Sequence, residues 1–138
     1  MSRLEVLGRA IKQVQYRHHR AVDSRLTDVG TTLAQWDALR AIGRHPGASA
    51  HDLAVYTFQS DQAFGMLANR LIKRGLIERR PGRGRRIEHH LTGAGSAMLG
   101  TGSPVSQAVL RESFAGLSDQ EQATLLGLLQ RILERPLE

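Results

Sequence analysis

The chain contains no cysteine. Disulfides, thiolate nucleophiles, thiol redox sensing and every zinc site built on sulfur are thereby excluded, so a bound metal would have to be held by histidine and carboxylate. Long apolar runs are also missing, since none approaches the roughly 18 residues that a membrane span needs. Glu5, Arg9 and Lys12 interrupt the first helical stretch where a signal peptide would carry its uncharged core. The expectation is a cytoplasmic protein that makes no contact with membrane. Neither a Gly-rich phosphate loop nor a nucleophile elbow is present. None of the six histidines, His18, His19, His45, His51, His89 and His90, stands at the i, i+4 spacing with a glutamate that a zinc hydrolase uses. The reading is no enzyme, no cofactor and no metal site.

Negative charge is nearly absent from one segment. The 138 residues carry 19 Lys+Arg against 13 Asp+Glu, a formal net charge of +6. Eight of those cations, Arg70, Lys73, Arg74, Arg79, Arg80, Arg83, Arg85 and Arg86, fall between positions 70 and 86, where Glu78 is the only anion. Elsewhere the signs nearly cancel. Solvated faces usually mix charges, so a cationic run on an otherwise neutral chain is an electrostatic footprint for a polyanion. At 41% hydrophobic and 23% charged residues, the rest is an ordinary globular composition, of a length that suits one compact unit.

Hydrophobic spacing predicts mostly helix. Leu4, Leu7, Ile11, Val14, His18 and Ala21 recur in steps of three and four, a narrow apolar seam on a long first helix that fades near Thr27 to Gly30. Thr32-Leu33-Ala34-Gln35 has the pattern of a capping box and opens a second helix, with Leu33, Trp36, Leu39 and Ile42 on its buried side. Gly43 and His45-Pro46-Gly47 end it. Ser49 caps a short third helix through Tyr56, and Ser60 caps a fourth that stops before Gly75. In the fourth, Phe64, Leu67, Ala68 and Leu71 point one way while Gln62, Gly65, Met66, Asn69 and Lys73 point the other.

The outward set suits base reading. Gln and Asn can pair bidentately with adenine, Met66 can touch a thymine methyl, Lys and Arg can donate to guanine or phosphate, and Gly65 permits close approach to a duplex. The next segment alternates Ile87, His89 and Leu91 with Glu88, His90 and Thr92, and centres on Pro81-Gly82-Arg83-Gly84. That is a β-hairpin with an arginine tip, able to lay Arg83 or Arg85 into a narrow, electronegative minor groove. The fold expected is mainly α with a small β-hairpin wing, a winged helix-turn-helix with N- and C-terminal dimerisation helices. The winged-helix core is expected around Trp36, Leu39, Leu53, Leu67 and Leu71.

Thr92 starts a helix weakened by the glycines at 93, 95, 100 and 102, which reads as a flexible or kinked connection; Pro104 restarts helix in its favoured first position, and Gly116 ends that piece. Ser118-Asp119-Gln120-Glu121 is a second capping box, opening a last helix with Leu125, Leu126, Leu128, Leu129, Ile132 and Leu133 along one broad side. Both chain ends flank the central unit, and their simplest use is pairing with a second copy through Leu4, Leu7, Ile11, Val14, Leu126, Leu129 and Leu133. The division is 1–30 dimerisation helix, 31–92 DNA-binding unit and 93–138 dimerisation helices, in one compact body. Two-fold pairing calls for a pseudo-palindromic site with half-sites about one turn apart.

Leu33 to Leu39, Pro46-Gly47 followed by Asp52-Leu53-Ala54, Arg70 to Arg80 and Leu91-Thr92-Gly93-Ala94-Gly95 together resemble the MarR family of bacterial transcriptional regulators. The resemblance implies a homodimeric winged-helix repressor released by a small aromatic or anionic effector. It implies a DNA-binding set of Ser49, Ser60, Asp61, Gln62, Gly65, Met66, Asn69, Arg70, Lys73, Arg83, Arg85 and Arg86. Tyr16, His19 and Trp36, near where the first two helices should meet, are the candidate effector contacts. The sequence departs from the family pattern twice. Arg83 stands where many members carry an Asp that braces the wing arginine, and Phe58 sits near the usual glycine of the helix-turn-helix turn. An altered turn within the same fold is expected. The alternative reading is a winged-helix interaction module whose basic hairpin meets an acidic protein.

Overall fold

The computed structural model describes residues 1–138 as six helices and a two-stranded hairpin: α1 Arg3–Asp28, α2 Leu33–Arg44, α3 Ala50–Tyr56, α4 Asp61–Lys73, β1 Ile77–Pro81, β2 Ile87–Leu91, α5 Gly93–Ser113 and α6 Asp119–Leu133. No helix is long and apolar enough to cross a membrane. Every helix starts on a hydroxyl cap. Ser2, Thr32, Ser49, Ser60, Thr92 and Ser118 each accept a hydrogen bond from the backbone N–H three residues on. Ser118 and Glu121 complete the reciprocal box expected of them. Thr32 and Gln35 do not, because the Gln35 carbonyl accepts from Arg74 and its side chain is drawn away from the cap.

The main core joins α2, α3, α4 and the hairpin through Leu39, Ile42, Leu53, Phe64, Leu67 and Leu71, among others. The strands are antiparallel, with Ile77 opposite Leu91, Arg79 opposite His89 and Pro81 opposite Ile87. The loop before α3 extends the pairing, since Gly47 N–H donates to the His89 carbonyl at 2.9 Å and His89 N–H donates to the Ala48 carbonyl at 3.2 Å. The hairpin is thereby tied to the helical body at its middle.

Trp36 departs from expectation. It belongs to a second cluster with Val22, Leu26 and Val109, so it joins α2 to α1 and α5 and lies outside the winged-helix core. Its position explains the larger correction, which concerns the glycine-rich stretch. That stretch is one unbroken helix, α5, with Pro104 inside it. Gly95 and Gly102 serve close packing. A Cβ on Gly95 would fall well under 3.0 Å from the Leu76 carbonyl oxygen, and one on Gly102 also under 3.0 Å from the Trp36 indole. Trp36 Nε1 and the Ser103 hydroxyl both donate to the Leu99 carbonyl, at 3.2 and 2.9 Å, in the turn before Pro104.

The first half of α1 and all of α6 contain no buried residue, and Leu4, Leu7, Ile11, Val14, Leu126 and Ile132 are exposed.

Candidate nucleic-acid interface

Helix α4 forms because Phe64, Leu67, Ala68 and Leu71 bury one side against the core, while Ser60 caps its start. Gln62, Met66, Asn69, Arg70 and Lys73 stand on the exposed side, as their spacing predicts. Gly65 is half-buried, and a Cβ there would meet nothing within 4 Å, so the chain's own packing does not require glycine. Asp61 accepts from His51 Nδ1 at 2.9 Å, which raises the His51 imidazole above its ordinary value. That contact links α3 to the start of α4.

The wing turns tightly at its tip. Gly82 N–H donates to the Arg86 carbonyl at 2.8 Å, Arg86 N–H donates to the Arg83 carbonyl at 3.2 Å, and Gly84 holds φ +63°. Ile87 is exposed beside this tip, so only His89 is fully buried among the three alternating residues of β2.

The eight clustered cations divide into two groups. Arg74 ties α4 to the α1–α2 corner by donating to the Gly30 carbonyl at 2.8 Å and to Gln35. Arg80 pairs with Glu78, and Arg86 donates to the Gly47 carbonyl at 3.2 Å. Arg79 donates to Asn69 Oδ1 at 3.1 Å and to His89 Nε2 at 3.4 Å. Arg70, Lys73, Arg83 and Arg85 have no side-chain partner in the chain. Unpaired cations on a helix face and on an adjacent hairpin tip are an arrangement that takes up phosphates while the helix meets base edges.

Residues 29–87 match the MarR family model. A Thauera aromatica protein assigned to transcriptional regulation of the hcr operon is 34% identical over 117 residues, covering 81% of this chain and 69% of that protein. The chain belongs to the MarR family. It is therefore a DNA-binding transcriptional regulator and not an enzyme. A mutant MarR from E. coli complexed with operator DNA superposes with a TM-score of 0.85 at 26% identity, covering 92% of this chain and 93% of that one. A Mycobacterium tuberculosis MarR family protein in complex with p-aminosalicylic acid superposes at 0.76 with 25% identity, covering 91% and 97%.

In this MarR-family chain the candidate effector residues separate. His19 and Trp36 line a groove of about 640 Å³ between α1, α2, α5 and α6, together with Asp37, Arg40 and Phe114. Tyr16 does not. One hundred degrees per residue carries it away from the Val14–His18 face of α1, and it stands exposed with Arg20 5.8 Å over its ring. Within the groove Arg40 lies 4.9 Å over the Trp36 ring and donates to Asp37 at 2.9 Å. Burial raises the Asp37 carboxyl above its ordinary value, against the opposing pull of Arg40 and His19.

His89 was not among the site residues read from the sequence. It is the one fully buried titratable side chain, 1% exposed, with the Phe64 ring edge-on at 6.3 Å. Nδ1 lies 3.0 Å from the Ala48 carbonyl, which can only accept, and Nε2 faces Arg79, which can only donate. The neutral tautomer with its proton on Nδ1 is the one that satisfies both. Its place on the inward side of β2 follows from alternation; its partners come from other elements.

Proposed function

We propose that this regulator binds a pseudo-palindromic operator duplex as a homodimer, represses the genes beside it, and is released by a small aromatic or anionic effector. The observation that carries the reading is the unpaired set Arg70, Lys73, Arg83 and Arg85, which brackets the exposed Gln62, Met66 and Asn69. In this reading α4 enters the major groove, and Arg83 or Arg85 enters the adjoining minor groove. Ser49, Ser60, Asp61, Gly65 and Arg86 complete the contact surface. The E. coli complex with operator DNA supports the mode of binding.

The exposed apolar sides of α1 and α6 support pairing of residues 1–30 and 93–138 with a second copy, leaving 31–92 to the duplex. The complex of the M. tuberculosis relative with p-aminosalicylic acid supports an effector of that chemistry. In this chain the groove holding His19, Trp36 and Arg40 offers a cation and an aromatic wall.

The test is selection from a random duplex library at near-physiological salt, followed by a salt titration on the winners. Enrichment of a pseudo-palindrome with half-sites about one helical turn apart is expected. Changing both Arg83 and Arg85 to Ala should weaken all sequences alike and, with two arginines lost from each protomer of the dimer, reduce the salt slope by about 4. Weak binding without enrichment would favour an acidic protein partner for the hairpin.

A further inference from the structure

Resting on the operator reading above, we infer that Asn69 and Arg79, positioned by His89, form a donor-only unit that selects guanine over adenine in each half-site. A guanidinium cannot accept a hydrogen bond, so the Asn69 atom that meets Arg79 at 3.1 Å must be the carbonyl oxygen. The orientation of the amide is thus decided by chemistry. Bidentate recognition of adenine needs an amide that accepts from the N6 amino group while donating to N7. Here the lone pair left on Oδ1 lies beside a cationic donor, so an adenine amino hydrogen arriving there meets its own polarity. What Asn69 presents outward is its NH2 group.

Arg79 is oriented in the same sense. Its Nε donates to His89 and its Nη2 to Asn69, so the side edge of the guanidinium is engaged on the protein. The end edge, Nη1 with the second hydrogen of Nη2, has no partner. An end-on fork of that kind matches O6 and N7 of guanine, both acceptors. The imidazole that fixes this orientation cannot swing, because it is buried against Phe64 and held at Nδ1 by the Ala48 carbonyl. His89 is therefore a positioning residue, and Arg79 joins Asn69 as a specificity residue.

The experiment is parallel duplex selection by the full-length protein and by Asn69→Ala, Arg79→Ala, Arg79→Lys and His89→Val, with salt slopes measured on each winner. The parent should enrich guanine over adenine by about tenfold at one position per half-site. Asn69→Ala and Arg79→Ala should both lose the preference at that same position. Arg79→Lys should lose it too while keeping the parental salt slope, because it retains the charge and lacks the fork. His89→Val should flatten the preference with a cooperative melt and an unchanged slope. Adenine at the position that Asn69→Ala relaxes, or relaxation of different positions by the Asn69 and Arg79 variants, would overturn the paired unit. A folded His89→Val with an intact preference would overturn the positioning role; if that variant does not fold, His89→Phe, which fills the buried site without an acceptor for Arg79, takes its place and is read in the same way. No enrichment by the parent overturns the operator reading and this inference with it, whereas an enriched palindrome with adenine there overturns the inference alone.

Discussion

Gly102 of α5 lies directly against the indole of Trp36 on α2, leaving no room for even one carbon between them. The contact joins α2 to α5, with Trp36 Nε1 donating to the Leu99 carbonyl across the same seam. It sets how α5 passes the winged helix.

Three glycines of one helix should therefore respond in opposite directions. Gly102→Ala is expected to destabilise the fold by about 1–3 kcal/mol through overpacking. Gly95→Ala should cost at least as much, because the obstacle is the Leu76 backbone and cannot rotate away. Gly100 faces open space, so Gly100→Ala should stabilise by about 0.5–1 kcal/mol through helix propensity. Denaturant midpoints of the three variants check this. Similar, small effects at all three sites would return the stretch to a flexible connection.

Stability should depend on pH through His89. Burial lowers its folded pKa most, the Ala48 carbonyl opposes that shift, and Arg79 and His90 add to it. A group with a depressed folded value takes up its proton more readily when unfolded. Its contribution is complete above the ordinary value of 6.5 and is lost as pH falls through the lower folded value. His51 has the opposite sign: Asp61 raises it, so its contribution is present below 6.5 and fades as pH rises through the folded value. Subtracting the stability of His89→Val from that of the parent at each pH isolates the His89 component, which should shrink toward acid. A difference independent of pH would contradict it.

Phe58 occupies the helix-turn-helix corner at φ +58° with 97% of its surface exposed. Left-handed backbone costs a residue with a Cβ about 1–2 kcal/mol, and the ring recovers little by packing. Phe58→Gly gives back about 0.5–1 kcal/mol through the greater freedom of the unfolded chain, so the net gain should be about 0.5–1 kcal/mol. A thermal melt at fixed protein concentration reads the difference. Destabilisation would mean that the ring is covered in solution.

Pairing of the chain ends predicts a concentration dependence. Ile11→Glu and Leu126→Glu place carboxylates on sides that are exposed within one chain. The isolated fold should tolerate them. A dimer would bury those charges, so sedimentation should show dissociation constants raised tenfold or more, the equivalent of about 1.4 kcal/mol. Unchanged sedimentation would place the interface elsewhere.

Much of the geometry of the candidate interface is legible in the sequence. The period of α4 separates Phe64, Leu67, Ala68 and Leu71 from Gln62, Met66 and Asn69 by angle alone, and caps are local chemistry, so each helix start can be read from a few residues. Alternation likewise puts His89 on the inward side of β2. It says nothing of the Ala48 carbonyl 41 positions away, nor of Arg79 on β1 reaching Asn69 on α4. Tyr16, His19 and Trp36 all fall near the expected meeting of the first two helices, and the turn of α1 carries Tyr16 off the face that His19 and Trp36 share.

What the amino-acid order determined by itself is what depends on neighbours within a helical turn or a strand repeat. That covers the helices, their caps, the hairpin, the exposed side of α4 and the concentration of positive charge. The tertiary structure decided which of the eight cations remain unpaired, which way the Asn69 amide points, and that Gly95 and Gly102 are packing residues in a continuous helix. Apart from Arg80 and Glu78, two residues apart in one strand, these are contacts between different elements of the fold. A glycine that frees the backbone and a glycine that admits a neighbouring element are the same residue in a sequence, and only the approach of Trp36 or Leu76 tells them apart.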